Sequence, residues 1–206
     1  GAWLVVLIGV LELQGDFEKH HQIMSELGIE SIPIKTHHDL EKVEGCIIPG
    51  GESTTLSILM ERYQMINPIK SFSKSFPVLG TCAGLIMMAT GVQDDRITPL
   101  GILNVQVNRN AYGRQIHSGT KTIQMHWKES IFSIPATMIR APKIESVGNN
   151  VTILADWEES PIAGMDGHHI GMNFHPELNN VSLFHQILFQ PKSQNYYKPN
   201  QEKNVS

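Results

Sequence analysis

Continuous apolar runs and amphipathic segments alternate along the first half of the chain. The apolar runs are typical of strands buried on both faces, and turn residues follow them. The intervening segments carry residues at helical spacing. In the first of them these are Phe17, His20, His21, Met24 and Leu27, and Gly28 ends the pattern. The predicted strands are VVLIGVLEL, ESIPIK, GCIIPGG and FPVLGT, and the predicted helices are DFEKHHQIMSELG, ESTTLSILMERYQMI and AGLIMMATG.

The second of these predicted helices has one clear apolar face. Ser53 and Thr54 stand at its start as candidate caps, because short hydroxyl side chains can accept hydrogen bonds from the first free backbone N–H groups of a helix. The apolar face consists of Leu56, Leu59, Met60, Tyr63 and Ile66.

The second half consists of short strand-like pieces separated by turn residues, and SLFHQILFQ closes it as a predicted helix. Strands that alternate with helices favour a parallel sheet covered on both faces. We therefore predict an α/β fold, a three-layer sandwich with a central, mostly parallel sheet flanked by helices. We expect a single domain over residues 1–190 and a polar, flexible tail over residues 191–206.

Composition narrows the possible functions by exclusion. A net charge of −4 offers no basic surface for nucleic acid or an anionic membrane. The most apolar run, AWLVVLIGVLEL, is too short to span a bilayer and lacks the features of a signal peptide. The chain has two cysteines, too few for a disulfide framework, so we expect a reducing, cytosolic location.

One of those cysteines lies in a turn that is suited to chemistry. Gly80-Thr81-Cys82-Ala83-Gly84 has the G-x-C-x-G form of a nucleophile elbow, in which a strand ends and a helix begins within a few residues. A sulfur there would face the first N–H groups of the helix, which favour the thiolate. The pentapeptide alone leaves two interpretations open, a nucleophile or a packed cysteine in a tight turn. Cys46 lies inside a predicted strand, and we interpret it as structural.

A cysteine nucleophile needs a base and a group that orients the base. His20-His21, His37-His38 and His168-His169 occur as pairs whose surroundings predict solvated or edge-packed side chains. No spacing typical of a metal site occurs, so we expect no metal. In NFHPEL, His175 and Glu177 are two residues apart at the end of a strand-like run, which puts both on one face. Alone they could be ordinary surface charges; together with the elbow they favour a Cys/His/Glu triad.

These motifs together resemble a known family. GTCAGL with FHPEL resembles the triad glutamine amidotransferases, and GVLELQGDFEKH, IIPGGESTT, RNAYGRQIHS and MIRAPKI are similar to the glutaminase subunits of two-component pyridoxal 5′-phosphate synthases. The resemblance extends from about Ile8 to Gln190. It implies a flavodoxin-like sandwich and a glutaminase that hydrolyses L-glutamine to L-glutamate and ammonia for vitamin B6 biosynthesis.

The resemblance also implies roles for individual residues. Cys82 would be the nucleophile, His175 the base and Glu177 the group that orients it, while the Gly51 and Ala83 N–H groups would form the oxyanion hole. Gln14 would lie near the site and the partner subunit and help to order that hole. The implied glutamine-binding residues are Gly51, Glu52, Ser53, Arg109, Ile139 and Arg140.

The same resemblance assigns the use of ammonia to another protein. The chain carries no phosphate-binding or dinucleotide motif, and the implied partner is a synthase subunit with a (β/α) barrel; no cofactor is expected on this chain. Arg109 and Arg140 could instead be surface ion-pair residues, and PGGES only a strand–loop–helix turn. The alternative functions are another cysteine hydrolase of this fold, such as a γ-glutamyl hydrolase, and a non-catalytic partner-binding module.

Overall fold

The computed structural model describes residues 6–109 and 118–198. The strands are β1 Leu7–Leu11, β2 Glu30–Ile34, β3 Cys46–Ile48, β4 Val78–Thr81, β5 Ala89–Val92, β6 Leu103–Asn108, β7 Gly119–Trp127, β8 Ser130–Met138, β9 Lys143–Val147, β10 Thr152–Trp157, β11 Ser160–Asp166 and β12 His169–Met172. The α-helices are α1 Glu18–Glu26, α2 Ser53–Arg62, α3 Ile66–Ser73, α4 Ala83–Met88 and α5 Leu183–Phe189, and two 3-10 turns cover His37–Lys42 and Pro176–Asn179.

A nine-stranded mixed sheet organises the described residues, in the order β2-β1-β3-β4-β12-β11-β10-β7-β8. The first five of these strands are parallel to one another. From β12 onward each neighbour is antiparallel. The prediction of an α/β fold with strands and flanking helices is confirmed, but the prediction of a mostly parallel sheet is wrong, because half of the neighbouring pairs among the described strands run antiparallel.

Tight turns explain three of the four antiparallel pairs of the main sheet. Only two residues separate β7 from β8, β10 from β11 and β11 from β12. Such a connection closes a hairpin, whereas parallel neighbours need a long crossover. In the β10–β11 turn both Glu158 and Glu159 have positive φ, at 49° and 65°, as the tightest hairpin turns require.

A second, three-stranded sheet in the order β5-β6-β9 packs beside the main one. Its first strand corrects an expectation: the helix predicted over AGLIMMATG ends at Met88, and Ala89–Val92 continue as β5. Strand β9, which no sequence pattern indicated, pairs antiparallel with β6.

Helices cover both faces of the parallel strands, and two apolar clusters lie beneath them. Along β3, Cys46 and Ile48 point into one cluster and Ile47 into the other, as alternation along a strand requires. The first cluster includes residues of α2, α3 and α4, and the second includes residues of α1 and α5. None of the helices in the described ranges has the length and apolar character needed to cross a bilayer.

Two local expectations are corrected by the structure. The helix predicted over ESTTLSILMERYQMI divides at Gln64, whose φ is 55°, so Tyr63 is half exposed rather than part of a buried face. Its cap is neither Ser53 nor Thr54: Glu52 is the N-cap, and its carboxylate accepts a hydrogen bond from the Thr55 N–H at 2.6 Å.

The chain after α5 packs back onto the fold. The Tyr197 N–H donates to the Ile187 carbonyl at 3.0 Å, and the Trp127 indole N–H donates to the Asn195 carbonyl at 2.9 Å. Residues 191–198 thus contact the folded domain, and the flexibility of the tail over residues 191–206 stays a prediction. Residues 199–206 lie outside the described part of the chain.

Candidate active site

Cys82 lies at the junction of β4 and α4, with a strained backbone. Its φ of 52° and ψ of −103° are unusual for a residue with a side chain. The Cys82 N–H donates to the Met172 carbonyl of β12 at 2.8 Å, and the Ile86 N–H donates to the Cys82 carbonyl at 3.2 Å. The side chain is 8% exposed. These contacts hold the sulfur at the carboxyl end of the parallel strands, where a nucleophile elbow places it.

The two glycines of the elbow are required by close packing. A Cβ on Gly84 would lie 2.1 Å from the Ile48 carbonyl oxygen of β3, and one on Gly80 would lie 2.4 Å from the Met88 sulfur. Neither glycine has a positive φ, so they serve the approach of α4 to the sheet rather than the turn itself. Inside the β4–α4 junction, the strained backbone conformation belongs to Cys82 alone among the described residues.

His175 and Glu177 meet beyond the end of β12. The imidazole Nδ1 hydrogen-bonds the Glu177 carboxylate Oε1 at 2.7 Å, and the two residues are only 5% and 4% exposed. The backbone N–H of His175 donates to the Thr137 carbonyl of β8 at 2.9 Å, which holds the His175 backbone against the antiparallel half of the sheet. Glu177 lies in a 3-10 turn, so the pair meets through that turn rather than through the predicted alternation along a strand.

The pairing of β4 with β12 brings His175 to Cys82. Thr81 and Met172 are partners in the parallel register, so the residues that follow them emerge side by side. Burial lowers the pKa of His175, but hydrogen bonds with Cys82 and with Glu177 outweigh burial and raise this pKa to about 10. An imidazole that keeps its proton beside a sulfur is placed to act as a general acid for a group bound to that sulfur. Since Nδ1 is bonded to Glu177, Nε2 is the nitrogen available to the sulfur.

The glycine loop after β3 forms the adjacent wall of the site. Gly51 has a φ of 154°, and a Cβ there would lie 2.4 Å from Oε1 of Gln14. That oxygen accepts a hydrogen bond from the Glu52 N–H at 2.9 Å. Gly15 packs against the other side, where a Cβ would lie 1.9 Å from the Gly50 carbonyl. Gln14 and Gly15 therefore hold the loop from beneath.

Two backbone donors in these segments have no partner in the described ranges. The N–H groups of Gly51 and Ala83 donate to no described residue. Ser53, the first residue of α2, is 4% exposed.

Arg109 lies at the rim and bridges three groups. Its guanidinium donates to Asp94 at 2.6 Å, to Thr54 at 2.8 Å and to Glu52 at 3.1 Å. Hydrogen bonds from Arg96 and then from Arg109 hold the pKa of Asp94 well below its usual range. Sequence reasoning missed Asp94, because an aspartate in the loop QDDR carries no motif. The rest of the predicted RNAYGRQIHS contact, residues 110–117, lies outside the described residues.

The IRAP segment approaches the sulfur through its backbone. The Ile139 carbonyl oxygen is 3.9 Å from the Cys82 sulfur, and the Ile139 side chain is 47% exposed. Arg140 has a φ of 47° and an exposed side chain that makes no hydrogen bond with any described residue. The structure thus brings the Ile139 carbonyl to the Cys82 sulfur and leaves the Arg140 side chain at the surface.

The expectation of solvated or edge-packed paired histidines is wrong for two of them. His20 is fully buried beside Glu177, and His169 is 8% exposed. His185, which is not one of the paired histidines, is also fully buried. Phe17, His20, Met24 and Leu27 already shared one helical face in the sequence, and that spacing was the available signal for burying His20. His37 and His38 are exposed as expected. Across the described residues, no group of three His, Cys, Asp or Glu could hold a metal ion.

The fold and this geometry define a class of protein. A cysteine at a strained elbow, paired with a histidine and a glutamate at the carboxyl edge of a sheet, is the arrangement of the triad glutamine amidotransferases. The comparisons agree: the chain belongs to the SNO glutamine amidotransferase family, whose model matches residues 10–191. The resemblance that the motifs predicted, and the enzyme class that it implied, are confirmed.

The relatives identify a particular subunit within that family. The chain is 38% identical over 182 residues to a protein of Desulforamulus reducens named pyridoxal 5′-phosphate synthase subunit PdxT, covering 88% of this chain and 96% of the relative. It is 41% identical over 187 residues to the PdxT of Bacillus pumilus, covering 90% and 94%. A solved glutamine amidotransferase is similar at 34% identity with a TM-score of 0.78, covering 84% of this chain and 92% of that one.

Proposed function

We propose that this chain is the glutaminase subunit of a pyridoxal 5′-phosphate synthase and hydrolyses the linear amide of L-glutamine through Cys82, His175 and Glu177. The observation that carries the proposal is the convergence of these three side chains at the carboxyl edge of β4 and β12. Membership of the glutamine amidotransferase family supports the substrate class.

The first half of the reaction forms a thioester. The Cys82 thiolate attacks the amide carbon of glutamine and makes a carbon–sulfur bond, while the carbonyl electron pair moves onto oxygen. When the tetrahedral intermediate collapses, the carbon–nitrogen bond breaks and His175 donates its Nε2 proton to the departing nitrogen. Ammonia leaves, and His175 is neutral. General acid catalysis of this kind contributes about 100- to 10,000-fold.

The second half reverses these roles with water. Neutral His175 takes a proton from water, and the hydroxide attacks the thioester carbon. That proton restores the imidazolium, and collapse of the second intermediate breaks the carbon–sulfur bond, expels the Cys82 thiolate and releases L-glutamate. The Glu177 carboxylate keeps the Nδ1 proton in place throughout, so that Nε2 alone exchanges protons with the substrate and water.

The N–H groups of Gly51 and Ala83 form the oxyanion hole in this proposal. Ala83 follows the nucleophile at the start of α4, and Gly51 lies in the loop that Gln14 supports. Loss of one such donor elsewhere costs about 3–4 kcal/mol in the transition state. Support for this role comes from two backbone donors whose partners are not among the described residues.

The glutamine side of the pocket uses the rim residues. The α-amino and α-carboxylate groups of the substrate bind to three parts of the rim: the Gly51–Glu52–Ser53 loop, Arg109 and the Ile139–Arg140 segment. Support comes from the Arg109–Glu52 ion pair at 3.1 Å, which joins opposite charges beside the loop, and from the Ile139 carbonyl near the sulfur. Gln14 orders the hole by holding Glu52, and it faces the partner subunit.

The ammonia passes to a synthase subunit, which we propose to be a (β/α) barrel that builds pyridoxal 5′-phosphate; that compound is the product of the complex and not a cofactor of this chain. The names of the relatives, subunits of such a synthase, support this partner. We further propose that residues 1–190 act as one glutaminase domain of flavodoxin-like type in the cytosol. The strand order 2-1-3-4 with β12 next supports that fold assignment.

A glutamine-analogue affinity label tests the nucleophile. Intact-mass measurement should find one adduct on the wild-type chain and on Cys46→Ala, and none on Cys82→Ala. Cys46 is the matched control because it is buried, and burial raises its pKa to about 12. An adduct that persists in Cys82→Ala overturns the proposal. Turnover of γ-glutamyl peptides in preference to glutamine would favour the γ-glutamyl hydrolase instead.

The partner is tested by steady-state glutaminase assay with and without a synthase subunit from a PdxT-containing organism. We expect a faster rate in its presence, because docking through Gln14 would order the oxyanion hole. Equal rates would overturn the docking role of Gln14 and leave the triad unaffected.

A further inference from the structure

Behind the candidate triad lies a second set of buried imidazoles that the mechanism above does not use. His20 on α1 and His185 on α5 are both fully buried, and Nδ1 of His20 lies 2.9 Å from Nε2 of His185. Nε2 of His20 lies 3.6 Å from Oε2 of Glu177, the oxygen that His175 does not use. The chain of contacts therefore continues from Cys82 through His175 and Glu177 to His20 and His185.

Oε2 of Glu177, the oxygen farther from His175, has no hydrogen-bond donor among the described residues. A buried carboxylate oxygen without a hydrogen-bond donor is costly. His20 Nε2, likewise unpartnered among those residues, faces it. Their separation exceeds an ordinary hydrogen bond, and a shift of a few tenths of an ångström would close it.

Simple proton counting selects one arrangement of the two imidazoles. A neutral imidazole carries one N–H, so either His20 Nδ1 or His185 Nε2 holds the proton of their shared contact. If His20 held it, its Nε2 lone pair would point at the Glu177 carboxylate. If His185 holds it, the His20 proton sits on Nε2 and points at Oε2. The second arrangement is favoured electrostatically, because it points an N–H proton rather than a lone pair at the Glu177 carboxylate.

We propose that His20 and His185 are positioning residues for Glu177. His185 donates its Nε2 proton to Nδ1 of His20, and His20 presents its own Nε2 proton to Oε2 of Glu177. The carboxyl group is then turned so that Oε1 accepts a hydrogen bond from Nδ1 of His175. This inference rests on the proposed roles of the triad.

Neutrality of the pair is part of the arrangement. Burial lowers the pKa of His20 to about 3, against the opposing effect of Glu177, and burial lowers that of His185 to about 3 as well. The ionisable groups that act on His20 are Glu177, His185, His175 and His21. A protonated His20 would pair with Glu177 and draw its charge away from His175; a neutral one orients the carboxylate and leaves the charge for His175.

The tautomers can be read in the unaltered chain. Long-range proton–nitrogen correlation spectra of the ¹⁵N-histidine-labelled protein at pH 7 should show both His20 and His185 as neutral rings protonated at Nε2. A His20 ring protonated at Nδ1, or a charged His20, overturns the proposal. This measurement needs no variant and no glutaminase activity.

Variants then test the effect on the triad. Outer-shell partners of metal-bound histidines are typically worth 10- to 100-fold, and we expect a comparable fall in kcat for His20→Leu with KM little changed. The titration midpoint of His175 should move to lower pH, because Glu177 is less firmly held. His20→Gln, which can retain an N–H toward Oε2, should recover most of both quantities. His185→Leu should act in the same direction with a smaller effect, because it removes the donor that holds the His20 ring at Nδ1 while Nε2 can still carry its proton toward Glu177.

His169 supplies the matched control. It is also a buried histidine with a pKa lowered to about 3, chiefly by burial, and it accepts a hydrogen bond from the Val78 N–H at the opposite end of β4. His169→Leu should reduce stability while the His175 midpoint stays unchanged. If His20→Leu and His169→Leu have the same effect on kcat and on that midpoint, the positioning role is wrong. If the wild type fails to hydrolyse glutamine yet its His175 midpoint depends on His20, the proposed function fails and the positioning inference stands.

Discussion

Gly50 lies against the imidazole of His175: a Cβ built on Gly50 would be 2.4 Å from Cε1 and 3.1 Å from Nδ1 of that ring. The same Cβ would be 3.4 Å from the Cβ of Cys82. The bare backbone of the loop thus covers the place where sulfur and imidazole meet. A side chain here must displace either the loop or the base, and both are parts of the site.

A methyl group at this position should therefore impair catalysis more than folding. For Gly50→Ala we expect a fall in kcat of about 100-fold, since misplacing a reacting group by about 1 Å has that effect. Glutaminase assay in the presence of the synthase partner measures it. Gly167→Ala is the control: the φ of Gly167 is 60°, and nothing lies within 4 Å of its missing Cβ, so it should lose stability and keep kcat. If Gly50→Ala keeps the wild-type kcat, the loop accommodates the methyl group without displacing His175, and the prediction is wrong.

Removing the support beneath the loop should affect substrate binding as well as rate. Gln14→Leu leaves the Glu52 N–H without its acceptor and removes the amide that packs against Gly51. A lost hydrogen bond of this kind destabilises a protein by about 1 kcal/mol. We expect a higher KM and a lower kcat in steady-state assays. Gln22→Leu, at an exposed position of α1, should change neither, and equal kinetics of the two variants would contradict the support role.

Neutralising Glu177 should lower both the pKa of His175 and the rate. Glu177→Gln keeps the size of the side chain but removes the charge that, together with Cys82, raises that pKa to about 10. Replacing the carboxylate of a catalytic triad by an amide costs up to about 10,000-fold in kcat. NMR titration of His175 and steady-state kinetics measure the two effects. Glu158→Gln in an exposed hairpin turn is the charge-matched control; a His175 midpoint that shifts equally in both variants would assign the effect to overall charge.

The buried neutral histidines should make the fold sensitive to acid. His169 stays neutral in the folded chain down to about pH 3, while the unfolded chain protonates it near pH 6.5. Its contribution to stability is complete above pH 6.5 and is lost as the pH falls toward 3, at about 1.4 kcal/mol per pH unit. Urea unfolding at pH 4.5 to 6 should therefore give a smaller pH slope for His169→Gln than for the wild type.

The control for this slope is an exposed histidine. His38→Gln changes a side chain that is exposed in the folded chain, so its unfolding free energy should follow the wild-type slope. If His169→Gln keeps that slope too, His169 is protonated before the chain unfolds.

Local patterns were sufficient to predict the parts of the site that one short segment carries. The elbow around Cys82 could be predicted because glycines flank a cysteine at the point where an apolar run meets a helical pattern. His175 and Glu177 could be predicted to interact, although their side chains meet because of the 3-10 turn that begins at Pro176. The apolar runs of β1, β3 and β4 predicted buried strands because those strands are covered on both faces.

Long-range relations were not predictable in the same way. A series of short strands in the sequence does not reveal whether neighbouring strands in the sheet are parallel or antiparallel. The two-residue connections that decide this were interpreted only as turns. The contact between His20 and His185 joins helices at opposite ends of the chain. Asp94 meets Arg109 only because β5 and β6 pair in the small sheet. In each case the partner is chosen by the packed fold rather than by neighbouring residues.

The proposed nucleophile Cys82 and base His175 follow adjacent strands, β4 and β12, which are joined directly by backbone hydrogen bonds. Their relative placement is thus set locally in space, although all of β5 to β11 intervenes along the chain. The intervening region touches the pair through the Thr137 carbonyl, which holds the His175 backbone, and through the Ile139 carbonyl beside the sulfur. Away from such contacts it can change in length and sequence, and so reshape the rim of the pocket, without moving Cys82 relative to His175.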